Sequence, residues 1–157
     1  MIKQTMSEVE NFLDLKMVAI VGMSRDPKEL SRLLVKPLTE NGMEIIPVHP
    51  EANEIDGMKC FKSVCDISPT PDGALVIVNK DKFKVVVDDC IEAGIKNVWL
   101  YGVTGPKSIN EDLQRYCLEN GINLIAGFCP FMFMDNVETG HKIHSFIWKM
   151  IGFYPKK

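Results

Sequence analysis

The chain has 157 residues, 46% of them hydrophobic, with 18 basic against 21 acidic side chains and a formal charge of −3. That is one domain's worth of chain, so one domain over 1–157 is expected, with one sizeable core and no room for a second catalytic domain. The acidic balance argues against a general nucleic-acid surface, and any anion site must be local.

The first residues lack a signal-peptide core, and no apolar run approaches the ~18 residues of a membrane span, so no membrane partner and a cytoplasmic location are expected. Residues 7–16 read as a short amphipathic helix, with Ser7 and Glu10 as a capping box and Val9, Phe12 and Leu13 on one face. Met17 to Val21 is an unbroken apolar run that stops at Gly22, the pattern of a buried parallel strand delivering its carboxyl end to a ligand. Leu30, Leu33, Leu34 and Leu38 then give helical spacing up to Asn41-Gly42, with Pro37 expected to kink the helix or delay its start.

Met43 to Val48 reads as a second strand ending at His49-Pro50, and 51–70 mainly as a loop crossing, with a short strand near Cys60-Phe61. Ala74 to Val78 is another continuous apolar run, followed by Asn79-Lys80 and a helix with Phe83, Val86, Val87, Cys90 and Ile91 inward, ending at Gly94. Asn97 to Tyr101 is a fourth strand, with Gly102 to Pro106 as its exit loop. Ser108 and Glu111 read as a second capping box, for a helix through Leu113 and Cys117 to Asn120-Gly121. Ile122 to Ala126 is the fifth strand, and 137–151 the last helix. Five alternations of strand and helix predict an α/β fold, a Rossmann-like doubly wound parallel sheet between two helical layers.

In such a sheet the ligand lies over the carboxyl ends of the strands. The residues gathered there are Gly22, Met23, Ser24, Arg25 and Pro27, then His49-Pro50, Asn79-Lys80, Gly102 to Gly105, and Gly127 to Cys129-Pro130. A dinucleotide fingerprint needs G-x-G-x-x-G and an acid at the end of the second strand; this chain offers one glycine, with Ser24 in place of the second, and His49 in place of the acid. Arg25, Lys28 and Arg32 suit a ligand rich in phosphate, although beside Asp26 and Glu29 they also suit a solvated loop.

Val21-Gly22-Met23-Ser24-Arg25-Asp26-Pro27, Ile46-Pro47-Val48-His49-Pro50 and Cys129-Pro130 together resemble the stand-alone CoA-binding proteins. These in turn resemble the N-terminal domain of the succinyl-CoA synthetase α subunit. The usual loop of that family reads G-A-S-x-x-P, so Met23 departs from it, as does His49 where the family has Asn. The resemblance implies that Gly22, Ser24, Arg25 and Pro27 cradle phosphates, that His49 and Pro50 line the ribose side, and that Val78, Asn79 and Lys80 border the adenine. It implies coenzyme A or an acyl-CoA as ligand and no catalytic residue in this chain. An NAD(P)-dependent oxidoreductase, a subunit lending its CoA site to a ligase, and a regulatory protein with a decayed nucleotide site stay open.

Five cysteines without a C-x-x-C pair argue against disulfides and structural zinc. Cys90 and Cys117 are expected to face inward; Cys129, after the fifth strand and before a proline, reads either as a thiol near the ligand rim or as an inert buried cysteine. His141 and His144 stand one turn apart, but no third metal ligand lies near them in sequence, and no metal is expected. Ser24 lacks the G-x-S-x-G elbow of a hydrolase nucleophile. The run Phe128 to Met134 is core or interface in character, dense enough in apolar side chains for a homodimer contact.

Overall fold

A computed structural model of the chain describes residues 3–103 and 105–134. The expected helix at 137–151, with His141 and His144, lies outside the described residues. The elements run α1 (Met6–Leu13), β1 (Met17–Val21), α2 (Leu30–Leu33), α3 (Val35–Glu40), β2 (Glu44–Val48), β3 (Glu54–Ile55), β4 (Met58–Lys59), β5 (Gly73–Val76), α4 (Phe83–Ala93), β6 (Asn97–Leu100), α5 (Glu111–Glu119) and β7 (Asn123–Ala126).

Five strands form one parallel sheet in the order β2-β1-β5-β6-β7. The central strands β1 and β5, and β6 beyond Asn97, are apolar because both of their faces are covered. Val18, Ile20, Leu75, Trp99 and Ile125 point into a core shared with Val9, Phe12, Leu34, Leu38 and Phe128. The residues between them, Ala19, Val21, Ala74, Val76, Val98, Leu100, Leu124 and Ala126, point into a second core with Phe83, Val87, Cys90 and Cys117. This is the expected Rossmann-like three-layer fold.

Trp99 centres the first core, fully buried, with its indole N–H donating to Phe128 O at 3.0 Å and Phe12 and Phe133 edge-on at 5.4 and 5.8 Å. An eight-residue helix such as α1 would not hold alone; burial of Val9 and Phe12, about 1.5–3 kcal/mol each, holds it here. Its cap is Thr5 with Glu8 rather than the expected Ser7 with Glu10. The reason is tertiary. The Gln4 side-chain amide pairs with the free edge of β7, donating to Leu124 O at 2.9 Å and accepting from Ala126 N at 2.6 Å, which holds the chain extended up to residue 4.

Pro37 splits the helix after β1 in two, with Leu34 between the pieces, since its ring would meet the carbonyl of residue 33 in a continuous helix. Pro47 is tolerated because β2 is an edge strand: its nitrogen, without an N–H, lies on the side away from β1, where no ladder to β1 needs a donor, and its carbonyl on that same side accepts from Phe61 N at 3.0 Å. The expected short strand near Cys60-Phe61 is a single parallel bridge from Phe61 to Val48. Within the expected loop lies a hairpin, β3 and β4, turned on Asp56 and Gly57 with φ of 50° and 74°.

The cap of α5 is Asn110, whose side chain accepts from Asp112 N at 2.7 Å and Leu113 N at 3.3 Å. Ser108 does not cap. It donates instead to Gly105 O at 2.7 Å, inside the 3₁₀ turn Gly105–Ser108.

Candidate functional site at the carboxyl edge of the sheet

The strand register makes the carboxyl edge flush. Val21 pairs with both Val48 and Val76, and Leu100 with both Val76 and Ala126, so all five exit segments start at one level. The order reverses between β1 and β5, the switch point where doubly wound sheets open a crevice. Gly22 stands at that point with φ of +90°. A Cβ there would overlap Ile77 O and reach Val78 Cγ1 at 2.7 Å, so only glycine lets the β1 turn lie against the β5 exit.

The loop after Gly22 is tied to itself. Gly22 N and Met23 N both donate to Val48 O, at 3.0 and 3.3 Å. Ser24 N donates to Ser31 Oγ at 2.9 Å, Asp26 N to Ser24 Oγ at 3.0 Å, and Lys28 N to Asp26 Oδ1 at 2.9 Å. Among the described residues the Arg25 N–H has no protein acceptor, and its guanidinium is exposed, 3.4 Å from Glu51. Arg32 is differently placed. Its guanidinium is buried, donates to Ser24 O at 3.3 Å and Arg25 O at 3.1 Å, and pairs with Asp56, so it braces the loop from beneath. The helix that follows, α2, begins only at Leu30 and has four residues with Glu29 at its cap, so it brings no long dipole to the loop.

Met23 is fully buried in the first core, which accommodates its departure from the alanine of related loops: the longer side chain fills space under the turn. Pro27, Lys28, Pro50, Asn79 and Lys80 are exposed, whereas Ser24, His49 and Val78 are half-buried. These residues lie on the exit segments of β1, β2 and β5, three adjacent strands.

The other members of the expected set are closed off. Gly102 is buried, and a Cβ there would strike Ser108 Oγ; one on Gly127, φ +80°, would strike the Gly105 backbone. Cys129 and Pro130 are buried because the turn at Gly127 and the 3₁₀ segment Pro130–Phe133 fold back against the Trp99 face. Cys129 is thus not at a rim, and burial pushes its thiol up to about 11. Cys90 and Cys117 face inward as expected, pushed up to about 12 and about 11, again chiefly by burial. Phe128, Phe131 and Met132 are core residues of their own chain.

The sequence left one feature of the site and one cluster elsewhere unread. Asp56, through Arg32, links the hairpin to the loop, and its Asp-Gly pair is the signal that could have revealed that hairpin. Away from the edge, exposed Cys65 and Glu92 and half-buried Asp89 bring ligand-type atoms within 4.8 Å of one another. No helix among the described residues is long and apolar enough to cross a membrane.

Known proteins share this architecture. The chain is 30% identical over 128 residues to the alpha subunit of ADP-forming acetate–CoA ligase II from Pyrococcus furiosus, matching 77% of this chain and 28% of that one. The chain therefore spans less than a third of the length of that ligase subunit. A Bacillus subtilis protein, YneT, is 29% identical over 118 residues, with 73% of this chain and 82% of that one covered. Among solved structures, a hypothetical protein from Pyrococcus horikoshii superposes with a TM-score of 0.71 at 28% identity, over 80% of this chain and 87% of that one. The family described as CoA binding domain matches residues 16–135, most of the chain and every strand of the sheet, and to that family this protein belongs.

Proposed function

We propose that the protein binds coenzyme A or an acyl-CoA over the exits of β1, β2 and β5, as a binding protein or accessory subunit without a catalytic group of its own. The observation that carries this reading is the switch-point turn at Gly22. It is pressed against Ile77 and Val78 and followed by a loop in which, among the described residues, the Arg25 amide has no protein acceptor and the Arg25 guanidinium is exposed. Such a loop suits a phosphate-rich ligand. Membership of the CoA binding domain family supports the ligand class. Gly22, Met23, Ser24, Arg25, Pro27 and Lys28 form the phosphate side in this reading, with Arg32 as their brace; His49 and Pro50 line the ribose, and Val78, Asn79 and Lys80 the adenine. Gly102, Cys129 and Pro130 support the edge without touching ligand.

An oxidoreductase reading is disfavoured by His49, which stands where a nicotinamide dinucleotide would find a carboxylate for its ribose hydroxyls. Thermal unfolding separates the two. A ligand that binds only the folded state adds RT ln(1 + [L]/Kd), about 2.7 kcal/mol at a hundredfold excess over Kd. CoA should raise the melting temperature more than NAD or NADP at equal concentration. An equal or larger shift with NAD overturns the assignment.

A further inference from the structure

His49 is the first residue beyond β2, and its ring faces back into its own chain. Nδ1 accepts two backbone N–H bonds, from Glu51 and from Ala52, both at 3.0 Å. A nitrogen that accepts carries no proton, so the neutral ring must carry its hydrogen on Nε2. Among the described residues Nε2 has no protein partner, and the half-buried ring leaves it open to solvent. The arrangement copies an Asx turn, in which the Oδ1 of an asparagine or aspartate accepts the N–H two residues on.

The turn opens a segment that closes where His49 N donates to Phe61 O at 2.9 Å. That segment carries both acids that reach the phosphate loop: Glu51, paired with Arg25, and Asp56, paired with Arg32. We infer that His49 is a positioning residue: neutral, its Nδ1 holds the 49–52 turn and, through Glu51 and Asp56, the set of the Gly22–Pro27 loop; protonated, it lets that turn go. An imidazolium has hydrogen on both nitrogens, so Nδ1 would then face two N–H groups with a third. Of the other ionisable groups in and beside the segment, Glu54 is exposed and Lys59 lies over the Phe61 ring. Glu51 faces Arg25, Lys62 reaches Pro50 O at 3.4 Å, and the Cys60 thiol, beside the His49 backbone N–H, is held up by burial.

Two variants and two readouts test this; the binding arm rests on the CoA reading, and the spectroscopic arm does not. In ligand-free protein near pH 8, long-range nitrogen–proton NMR should find Nδ1 unprotonated, and acidification that protonates the ring should move the Glu51 and Ala52 amide signals. In His49→Asn, where Oδ1 replaces Nδ1, those amides should stay put.

By titration calorimetry, His49→Leu should bind CoA about tenfold more weakly than His49→Asn: both variants lose the imidazole at the ribose, and only the second keeps an acceptor for the two N–H groups. Once the NMR spectrum shows the ring protonated, wild type should have lost about tenfold more affinity than His49→Asn over the same pH change, and the difference cancels any titration of CoA itself. A ring protonated on Nδ1 near pH 8, Glu51 and Ala52 amides indifferent to pH, or parallel pH profiles in the two proteins overturns the inference. Wild type that binds no CoA at any pH overturns the proposed function instead, and leaves the spectroscopic arm to decide the role of His49.

Discussion

The exits of β1, β2 and β5 and those of β6 and β7 lie along one flush edge, yet they are built in opposite ways. The first group is polar and accessible. Past Met23 its loop is tied chiefly by side-chain-to-backbone bonds, its cations are Arg25, Lys28 and Lys80, and its one tight approach, Gly22 to Ile77, leaves the neighbouring groups open. The second group is sealed, with Gly102, Gly105 and Gly127 packed on Ser108 and Cys129 folded into the Trp99 core. Glycine does different work in each. At 22 it brings a loop to the crevice, and at 102 and 127 it closes a wall.

The largest expected effect tests the wall. Gly127→Ala combines a left-handed residue with overlap on the Gly105 backbone, which should cost about 2–6 kcal/mol in denaturant unfolding. A loss under about 1 kcal/mol would mean that the wall is loose and could open to a ligand.

Next comes alkaline pH, which reports whether Cys129 belongs to the wall. The ordinary thiol value is 9.0, while Cys90, Cys117 and Cys129 sit at about 12, about 11 and about 11 in the fold. Between those values the unfolded chain holds fewer protons, so the stability from burying neutral thiols is complete below pH 9 and lost as pH rises. From pH 9 to 10 the loss should be about 1 kcal/mol per buried thiol, about 3 in all. Cys129→Ala should remove about a third of that slope in urea melts; an unchanged slope would return Cys129 to the rim.

The smallest effect belongs to the open side and falls on binding. Arg25→Ala should weaken CoA binding by about 1.5–3 kcal/mol, the worth of a hydrogen bond to a charged group, with the fold intact. Affinity should fall with added salt, less steeply in the variant, because exposed charges are screened. Titration calorimetry at low and high salt measures both, and a variant as tight and as salt-sensitive as wild type would remove Arg25 from the phosphate contact. Because Glu51 already pairs with Arg25, the wild-type gain includes breaking an exposed ion pair, itself worth little.

The sheet was legible in the sequence because its signal is local. Apolar runs at Met17–Val21 and from Ala74 onward, short and rich in β-branched residues, read as strands covered on both faces, and the glycines and Asn-Gly pairs mark where helices stop. The caps were less so. Thr5-Glu8 and Ser7-Glu10 are the same motif two residues apart, and the choice between them follows from Gln4 bonding to β7, about 120 residues away in the chain. Ser108 likewise has a good local claim to a cap, but packing against Gly102 and Gly127 takes it for the wall.

The same division runs through the site. Sequence by itself determined which loops meet at the carboxyl edge, since alternating strands and helices with right-handed crossovers leave few other arrangements. It also determined that a one-glycine loop with His49 after β2 departs from a dinucleotide fingerprint. Only the tertiary structure decided which side chains in those loops stay free. Arg25 and Arg32 are the same residue type seven positions apart, and one is exposed while the other lies buried against two carbonyls and Asp56. His49 is the first residue after β2 and Cys129 the third after β7, and the cysteine is sealed in the core while the histidine keeps Nε2 open. Burial and pairing depend on what the rest of the chain brings alongside, and no local pattern carries that information.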